Sequence, residues 1–480
     1  MSQEPQAAYT RQLSLSTALG FSATSLPVSA LVIALAVYLP PYYATHIGLG
    51  ASVGLALMTV RLLDMGVDVA LGMAMDRTRT AFGRYRIWMI AGAPILMLAV
   101  YMLFINAQPG AGIGYLITWL LVLYLGMSIL VLSHSAWAAT LATHYHERSR
   151  IFAILAAVGV LGSVAVLLIP IFAHAKSKTD FTAIKDMGWF VVLITPLAVG
   201  LVTSRTRETI TRDVEGPHFQ LKDYLSLLAR PSLIRLLLAD LVLTLGPGWM
   251  SAIYLFYFRD SRGFSLGTAS ILLAVYIAAG FVGAPIVGMV ARKFGKHRTL
   301  MATTTAYSLG LFAIMAIPKG NFPVAVAPMF WCGFNAAGFA LLTRAMLADI
   351  SDEVRLEQGK ERVSLLYALT TFTTKFAGAF SIFLTYSVLG RVGYNMKEGA
   401  VNGPAAIHGL EMAYIIGPIF FVMLGGACFI GYRLGPDRHA EIRRQLDERD
   451  ALYDEAPILQ SAGVEAPVIV SADSNLIPES

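Results

Sequence analysis

Three charged side chains lie within one apolar segment of the sequence. Arg61, Asp64 and Asp68 fall inside residues 51–75, which are enough to cross a bilayer, since about 20 apolar residues suffice. At about 100° per residue on a helix, the three side chains lie within about 60° of one another. Each charge at mid-membrane costs at least about 2.5 kcal/mol, so such residues face a protein interior or a water-filled cavity. The pattern predicts a cation site in a membrane transporter.

The composition is that of a membrane protein with many spans. Of 480 residues, 56% are hydrophobic and 14% are charged, and the mean hydropathy is +0.64, whereas soluble domains are about 25% charged. The net charge of +6 resides in short loops and is interpreted as a topology signal, so no nucleic acid partner is expected. No signal peptide pattern precedes the first apolar segment. Cys332 and Cys428 lack metal-type spacing and are expected to be buried thiols.

Twelve apolar segments predict twelve transmembrane helices. They run over residues 18–44, 51–75, 87–106, 113–142, 151–174, 187–204, 233–258, 266–291, 299–318, 323–348, 364–389 and 409–433. Of the 36 Lys and Arg residues, 25 lie in the termini and alternate loops, 8 in the opposite loops and 3 within the spans. The positive-inside rule therefore predicts that both termini are cytoplasmic, in a multi-pass protein of the cell inner (plasma) membrane.

A short internal repeat divides the chain into two six-helix halves. The run beginning at Phe82 after the second segment resembles the run beginning at Phe294 after the eighth, and Glu147-Arg148 resembles Glu361-Arg362. The offsets are 212 and 214 residues. Parallel halves of this kind are the arrangement of the major facilitator fold, with the solute bound between them at the midplane. The predicted divisions are residues 1–204, a central cytoplasmic loop 205–232, residues 233–433, and a partly disordered cytoplasmic tail 434–480, helical from 440 to 454.

The carboxylates are not repeated in the second half. At an offset of 212, Asp64 and Asp68 correspond to Tyr276 and Gly280, so the scaffold recurs while the charges do not, which favours a functional role. Lys375 lies at a depth similar to that of Asp64 and is expected to form a charge network with it. Two carboxylates one helical turn apart are stabilised by a bound cation or a retained proton. The alternative is a structural salt bridge between Arg61 and Asp64.

Several aromatic and polar side chains are candidates for lining a solute pocket. They are Tyr38, His134, Trp137 and Tyr254, although such residues also anchor helices at membrane interfaces and fill cores. Asp240 lies near the predicted cytoplasmic end of the seventh span and is expected to be a structural partner or helix cap.

Five sequence elements together resemble the glycoside–pentoside–hexuronide:cation symporters, a family of the major facilitator superfamily. The five elements are Arg61-x-x-Asp64-x-x-x-Asp68, Gly72-x-x-x-Asp76-Arg77, residues 145–150, residues 346–352, and Lys375 before Ala377-Gly378-Ala379. They occur in the family's order over nearly the whole chain. The resemblance implies an all-α polytopic fold of twelve transmembrane helices in two pseudo-repeated halves.

The resemblance also implies roles for individual residues. Asp64, Asp68 and Ser128 would bind the cation, and Lys375, with Arg61 and Thr371, would couple the two halves. The loops at 76–86, 145–150 and 349–362 would form cytoplasmic gates. The expected gate residues are Asp76, Arg77, Arg84, Arg148, Asp349 and Asp352.

The sequence departs from the family's pattern at the sugar-binding positions. Residues 22–27 contain no carboxylate, Val131 stands where the family has an acid in the fourth span, and residues 151–169 contain no arginine. Val67 replaces the polar residue that sodium-using relatives place before the second aspartate. The solute and the choice between Na⁺ and H⁺ therefore stay open.

The function that the sequence predicts is cation-coupled symport of a sugar, glycoside or related organic solute by alternating access. An amphiphilic, lysolipid-like or aglycone-rich solute is the alternative, and a non-transporting membrane sensor is a more distant one. No HExxH, GxSxG or grouped cysteines occur, so an enzyme is not expected. The expected partners are a small-molecule solute, Na⁺ or H⁺ and the lipid bilayer. No cofactor is expected, no metal beyond a possible Na⁺ at Asp64 and Asp68, and the chain is expected to be monomeric.

Overall fold

The computed structural model describes residues 14–141 except 79 and 81, then 145–173, 182–206, 208, 228, 230–358 and 363–461. A few helical side chains, those of Asp76 and Arg148 among them, also lie outside the description. The predicted disorder at the end of the tail lies outside it as well.

Among the described residues, six helices make up the first half. They are α1 (Leu15–Thr45), α2 (Ser52–Arg77), α3 (Tyr85–Ile105), α4 (Ile113–Leu141), α5 (Tyr145–Ala173) and α6 (Thr182–Arg205). α1 is irregular: a turn separates Ser22 from Ser25, and Ala34–Tyr38 is π-helical just before Pro40 and Pro41. A proline has no N–H to donate and its ring crowds the preceding turn, which accounts for the local widening.

The second half has the same helix order and adds a tail helix. Its members are α7 (Pro231–Ser261), α8 (Leu266–Phe294), α9 (Lys296–Met315), α10 (Phe322–Gln358), α11 (Val363–Arg391), α12 (Pro404–Ala427) and α13 (Pro436–Ser461). α10 continues ten residues beyond the predicted end at 348, because the sequence becomes polar there without a helix-breaking residue. The tail helix is longer than predicted and starts at Pro436, a favourable first residue of a helix.

Ten of the described helices are long and apolar enough to cross a membrane. α2 and α9 lie at the positions of the remaining two of the twelve predicted transmembrane helices. α2 has the length of a span but carries Arg61, Asp64 and Asp68 in its interior, and α9 begins with Lys296 and is less apolar than its neighbours. Both therefore depend on packing against other helices, since lipid does not solvate such side chains.

The halves meet along two related pairs of helices. α2 packs against α11, and α5 packs against α8. Because α2 corresponds to α8 and α5 to α11 in the repeat, these two contacts are related by the same pseudo-symmetry. Within the halves, α2 packs on α4 and α8 packs on α10. At the second contact, a methyl group on Gly283 would lie 2.9 Å from the Cα of Phe334, so the absence of a side chain permits the close approach.

The contacts described between the halves lie at mid-depth and toward the face opposite the chain termini. Near that opposite face, the hydroxyls of Tyr38 and Ser270 are 2.7 Å apart, and His46 Nδ1 lies 2.8 Å from Glu398 Oε2. A methyl group on Gly54 would lie 3.0 Å from the Cα of Phe383. The halves are therefore closed against each other at this face.

The repeated loop motif has a glycine with a positive φ in both halves. Gly83 precedes α3 with φ +105°, and Gly295 precedes α9 with φ +89°. In the first half, the Glu208 carboxylate accepts hydrogen bonds from the N–H groups of Arg84 (2.8 Å) and Arg86 (3.1 Å). A carboxylate at a helix N-terminus satisfies unpaired N–H groups and interacts favourably with the helix dipole. Glu208, three residues past the end of α6, therefore caps α3.

Gly83→Ala tests this turn. An alanine is strained at φ +105°, and its methyl group would collide with the Glu208 carboxylate. We expect the free energy of unfolding to fall by about 2 kcal/mol, seen as a melting temperature several degrees lower in detergent. Gly200→Ala, on a helix with nothing within 4 Å of the added methyl, is the matched control. Equal melting temperatures for the two variants would contradict this account of the turn.

Candidate functional site

A charge cluster joins the two halves at mid-depth. Lys375 on α11 donates a hydrogen bond to Asp64 Oδ2 at 3.1 Å and another to Asp68 Oδ2, both on α2. Ser128 on α4 donates to Asp64 Oδ1 at 3.1 Å. The side chains of Asp64, Asp68 and Lys375 are 5%, 19% and 26% exposed. The structure thus brings together the three residues expected at the cation site and Lys375, which was expected to couple the halves.

Helix geometry explains the arrangement. Asp64 and Asp68 are four residues apart on α2, so their side chains lie one above the other on the same face. That face is turned toward α4 and α11, which both pack against α2. A single ammonium group consequently reaches both carboxylates.

The cluster carries one more negative charge than positive. Two carboxylates face one ammonium group, and the buried Oδ1 of Asp68 has no hydrogen-bond partner among the described residues. A buried acceptor without a partner is unfavourable. Carboxylate and hydroxyl oxygens are also the ligands that hard cations prefer. The geometry therefore suits a monovalent cation, or a proton on one carboxylate.

Arg61 does not form the salt bridge with Asp64 that the sequence left open as an alternative. Its guanidinium carbon lies 4.9 Å from the centre of the Tyr124 ring on α4, and no ion pair of Arg61 appears among the described residues. A cation over an aromatic face is stabilised by the ring quadrupole. The described partner of Asp64 is instead Lys375 from the other half.

Thr371 has no described contact with the carboxylates. Its side chain is exposed, and its hydroxyl donates to the Tyr367 carbonyl of its own helix at 2.9 Å. The next polar residues on α11 contact a different residue. Thr373 and Thr374 donate hydrogen bonds to Asp240 Oδ2 at 2.6 and 3.0 Å. Asp240 therefore ties α7 to α11, as expected of a structural partner, and does not cap a helix. The run of threonines on α11 is the sequence feature that could have indicated this contact.

The four candidate pocket residues are buried, and three of them donate or share hydrogen bonds with protein groups. Tyr38 bonds Ser270, Tyr254 donates to the Ala269 carbonyl at 2.8 Å, and His134 Nε2 lies 2.7 Å from the Phe21 carbonyl. Trp137 packs edge-on against Phe21 at 5.5 Å. In this conformation the four side chains belong to helix–helix contacts, and solute binding by them stays a prediction.

The gate residues at the terminal face contact their own half and the tail helix. Lys296 donates to Asp349 Oδ1 at 2.6 Å, and His439 on α13 lies 3.0 Å from Asp352 Oδ2. Arg84 donates to the Met75 carbonyl at 2.9 Å, and Arg77 is exposed. None of these contacts crosses between the halves. The side chains of Asp76 and Arg148 lie outside the described residues, so the gate role stays a prediction.

The two six-helix halves and the charge cluster between them are the architecture of a major facilitator transporter. The comparison with protein families agrees: residues 20–435 match the model described as MFS/sugar transport protein. The chain belongs to this family of membrane transporters and is not an enzyme. The family assignment confirms the resemblance found in the sequence.

Two similar proteins are named as carriers. The chain is 25% identical over 448 residues to the "Glucuronide carrier protein homolog" of Escherichia coli (strain K12), covering 92% of this chain and 97% of that protein. It is 23% identical over 418 residues to the "Raffinose carrier protein" of Pediococcus pentosaceus, covering 82% of this chain and 64% of that longer protein.

Solved structures support the fold. The nucleoside transporter NupG is similar with a TM-score of 0.66 at 11% identity, covering 87% of this chain and 98% of that one. A bacterial homologue of the human lysosomal transporter Spinster has a TM-score of 0.60 at 13% identity, covering 88% and 98%. At these identities the similarity concerns the fold alone.

Lys375→Met tests the cluster. Removing one partner of a buried ion pair costs about 3–5 kcal/mol, and the partial exposure of Lys375 reduces this to about 2 kcal/mol. We expect a lower melting temperature in Na⁺-free buffer at alkaline pH, where both aspartates are ionised and repel each other. The difference from the wild type should shrink as the pH falls, because protonating one carboxylate relieves the repulsion. Lys397→Met, in an exposed loop, is the control, and a pH-independent loss would contradict the account.

Proposed function

We propose that the protein is a secondary active symporter that couples the entry of Na⁺ or H⁺ to the import of a sugar, glycoside or related organic solute. The observation that carries this proposal is the contact of Lys375 with Asp64 and Asp68. Two carboxylates lie on one half and their counter-charge lies on the other, an arrangement that coupling of an ion to movement of the halves requires. The names of the relatives, a glucuronide carrier homologue and a raffinose carrier, support the solute class.

The mechanism follows from competition for the carboxylates. A cation bound to Asp64 and Asp68 neutralises charge that Lys375 neutralises in this conformation. Lys375 is then free to move with α11, and the balance between the closed and open arrangements of the halves changes. Asp68 is more exposed than Asp64, so the cation would reach it first. Coupling requires that cation and solute each bind better when the other is present.

The coupling ion is Na⁺ or H⁺ on this proposal. Two carboxylates and the Ser128 hydroxyl supply oxygen ligands for Na⁺. Val67 supplies none from its side chain, which favours the proton. Protonation of one carboxylate has the same electrostatic effect on Lys375 as cation binding.

The orientation belongs to the same proposal. The Lys and Arg bias favours a cytoplasmic location for the terminal face, where the candidate gate residues lie. The contacts near the opposite face would then close the pathway to the outside, leaving the cluster to exchange with the cytoplasm. We propose a monomer in the plasma (inner) membrane.

Asp64→Asn and Asp68→Asn test the coupling role. In proteoliposomes with an inward Na⁺ or proton gradient, wild-type protein is expected to accumulate a radiolabelled glycoside or uronide above the outside concentration. Either variant should lose gradient-driven accumulation by at least about tenfold, because an amide cannot exchange a proton and binds a cation more weakly.

Asp186→Asn, an exposed aspartate on α6, is the matched control and should accumulate solute as the wild type does. Protein amount in the vesicles is measured for each variant. Full accumulation by either Asp64→Asn or Asp68→Asn would show that the pair does not couple the ion to the solute.

A further inference from the structure

A pair of titratable side chains bridges the two halves at the face opposite the chain termini, here called the outer face. His46 directly follows α1, and Glu398 lies in the loop between α11 and α12. His46 Nδ1 is 2.8 Å from Glu398 Oε2, and the two side chains are 30% and 44% exposed. Residues 352 positions apart in the sequence thus meet across the interface, where water reaches both.

The segment of α1 that leads to this pair is also held by the other half. Pro40 and Pro41 have no N–H group, so the Ala36 carbonyl, four and five residues before them, has no donor within its own helix. Ser251 on α7 donates a hydrogen bond to that carbonyl at 3.4 Å. The prolines that widen α1 therefore also leave an acceptor that the second half satisfies.

A third contact lies between these two along α1. The hydroxyls of Tyr38 and Ser270 on α8 are 2.7 Å apart, and both residues are fully buried. If the halves rock apart at the outer face, the contacts of α1 with α7, α8 and the α11–α12 loop must break together. We call these three contacts the outer gate. The pair of His46 and Glu398 is its solvent-accessible end.

This pair differs from the other contacts of the outer gate in its charge. Histidine is the side chain that changes its charge between pH 5 and 8, and glutamate side chains are ionised in that range. A charged imidazole opposite a carboxylate forms an ion pair, whereas a neutral imidazole offers only a weaker hydrogen bond. The added attraction is therefore present at acidic pH and is lost as the pH rises through the titration of the imidazole. The hydroxyl contacts of the gate keep their charge throughout.

Among the described residues, the first half brings no charged side chain to His46. On its own helix, the Tyr42 ring stacks on the imidazole with the ring centres 5.4 Å apart. The α3–α4 loop, residues 106–112, donates a hydrogen bond to the Ile47 carbonyl and is uncharged. α2 also packs against the outer end of α1, and its first charged residue is Arg61, deep in the helix.

From the second half, α7 and the α11–α12 loop face the outer end of α1. Arg259 and Asp260, at the end of α7, pair with each other at 2.6 Å, so their charges largely cancel. Lys397, beside Glu398 in the loop, is exposed. Glu398 is the carboxylate that the described residues place within ion-pair distance of His46.

We propose that His46 is a proton-binding group of the outer gate, which holds Glu398 more tightly when protonated and so keeps the pathway closed to the outside at acidic outer pH. This inference rests on the alternating access proposed above. It goes beyond that proposal by adding a second titratable site, separate from the carboxylates at mid-depth. Acidity outside would then delay the opening that admits solute, an effect opposite in sign to the driving force of a coupled proton.

The exposure of both side chains sets the size of the effect. Exposed ion pairs change an equilibrium by up to about fivefold, and salt screens them. The measurement must therefore resolve a shift of a few-fold in the fraction of molecules that are open to the outside, at low ionic strength.

The test labels a cysteine that the outer gate covers. Ser270→Cys is introduced together with Cys332→Ala and Cys428→Ala, because Ser270 is fully buried behind the gate and the native thiols would react as well. Right-side-out membrane vesicles are held at fixed inner pH. The rate of labelling by a membrane-impermeant methanethiosulfonate is measured at outer pH values of about 5.5 and about 8.0. When opening is fast relative to labelling, this rate is proportional to the open fraction.

Each rate is divided by the rate of the same reporter carrying Glu398→Gln. The division cancels the pH dependence of the thiol reaction and isolates the carboxylate charge. We expect this ratio to be about two- to fivefold lower at the acidic outer pH than at the alkaline one. His46→Gln should label as Glu398→Gln does at both pH values. His408→Gln is the matched control, since His408 is exposed at the outer face and lies 3.8 Å from Glu411 of its own helix; it should keep the wild-type response.

Four results would overturn the proposal. They are no labelling from the outside in any variant, a ratio that changes by less than about 1.5-fold between the two pH values, a wild-type response in His46→Gln, and a response that His408→Gln removes. The symport proposal fails differently. A response that depends on Glu398 without gradient-driven accumulation of solute contradicts symport alone, whereas driven accumulation with a pH-independent ratio contradicts this role of His46 alone.

Discussion

The contact of Lys375 with Asp64 and Asp68 is the interaction on which the arrangement of the two halves depends. It places one ammonium group against two carboxylates in a segment where lipid would solvate none of them. α2 is not apolar enough to count as a span by composition, so its place in the bundle requires these partners. The same charges that make α2 a poor membrane helix make it the candidate ion-binding element of the proposed symporter.

Pseudo-symmetry explains why the chemistry is divided between the halves. The repeated scaffold gives α2 and α8 the same packing relations, yet α2 carries carboxylates where α8 carries Tyr276 and Gly280. One half thereby holds a charge cluster and the other holds a cavity at the same level. α11 touches both, through Lys375 on one side and Thr374 on the other.

The sequence predicted the spans and the proximity of the clustered charges well because both follow from strong local constraints. Twenty apolar residues make a membrane helix almost regardless of context, and the four-residue spacing of Asp64 and Asp68 fixes their common face. The depth of Lys375 could be read by counting residues from the end of a span. These arguments need no knowledge of how the helices pack.

The partners of the remaining side chains could not be predicted in this way. Arg61 lies over Tyr124 instead of pairing with Asp64, and Tyr38 bonds Ser270 on a helix of the other half. Asp240 with Thr374 was missed as part of a cavity, since only the packing of four helices creates the space. Periodicity gives the face of a helix but does not give its neighbour.

The central claim concerns a cation bound to Asp64 and Asp68 and a solute bound between the halves. Each is expected to bind more tightly when the other is present. The most direct measurement is the equilibrium dissociation constant for p-nitrophenyl β-D-glucuronide, determined on purified protein over a matrix of Na⁺ concentrations and pH values. The account predicts that wild-type affinity rises with Na⁺ or with proton concentration and that the Asp64→Asn affinity responds to neither, because coupling is reciprocal. The account would be contradicted by a wild-type affinity that changes with neither Na⁺ concentration nor pH. It would also be contradicted by an Asp64→Asn affinity that changes with them as the wild-type affinity does.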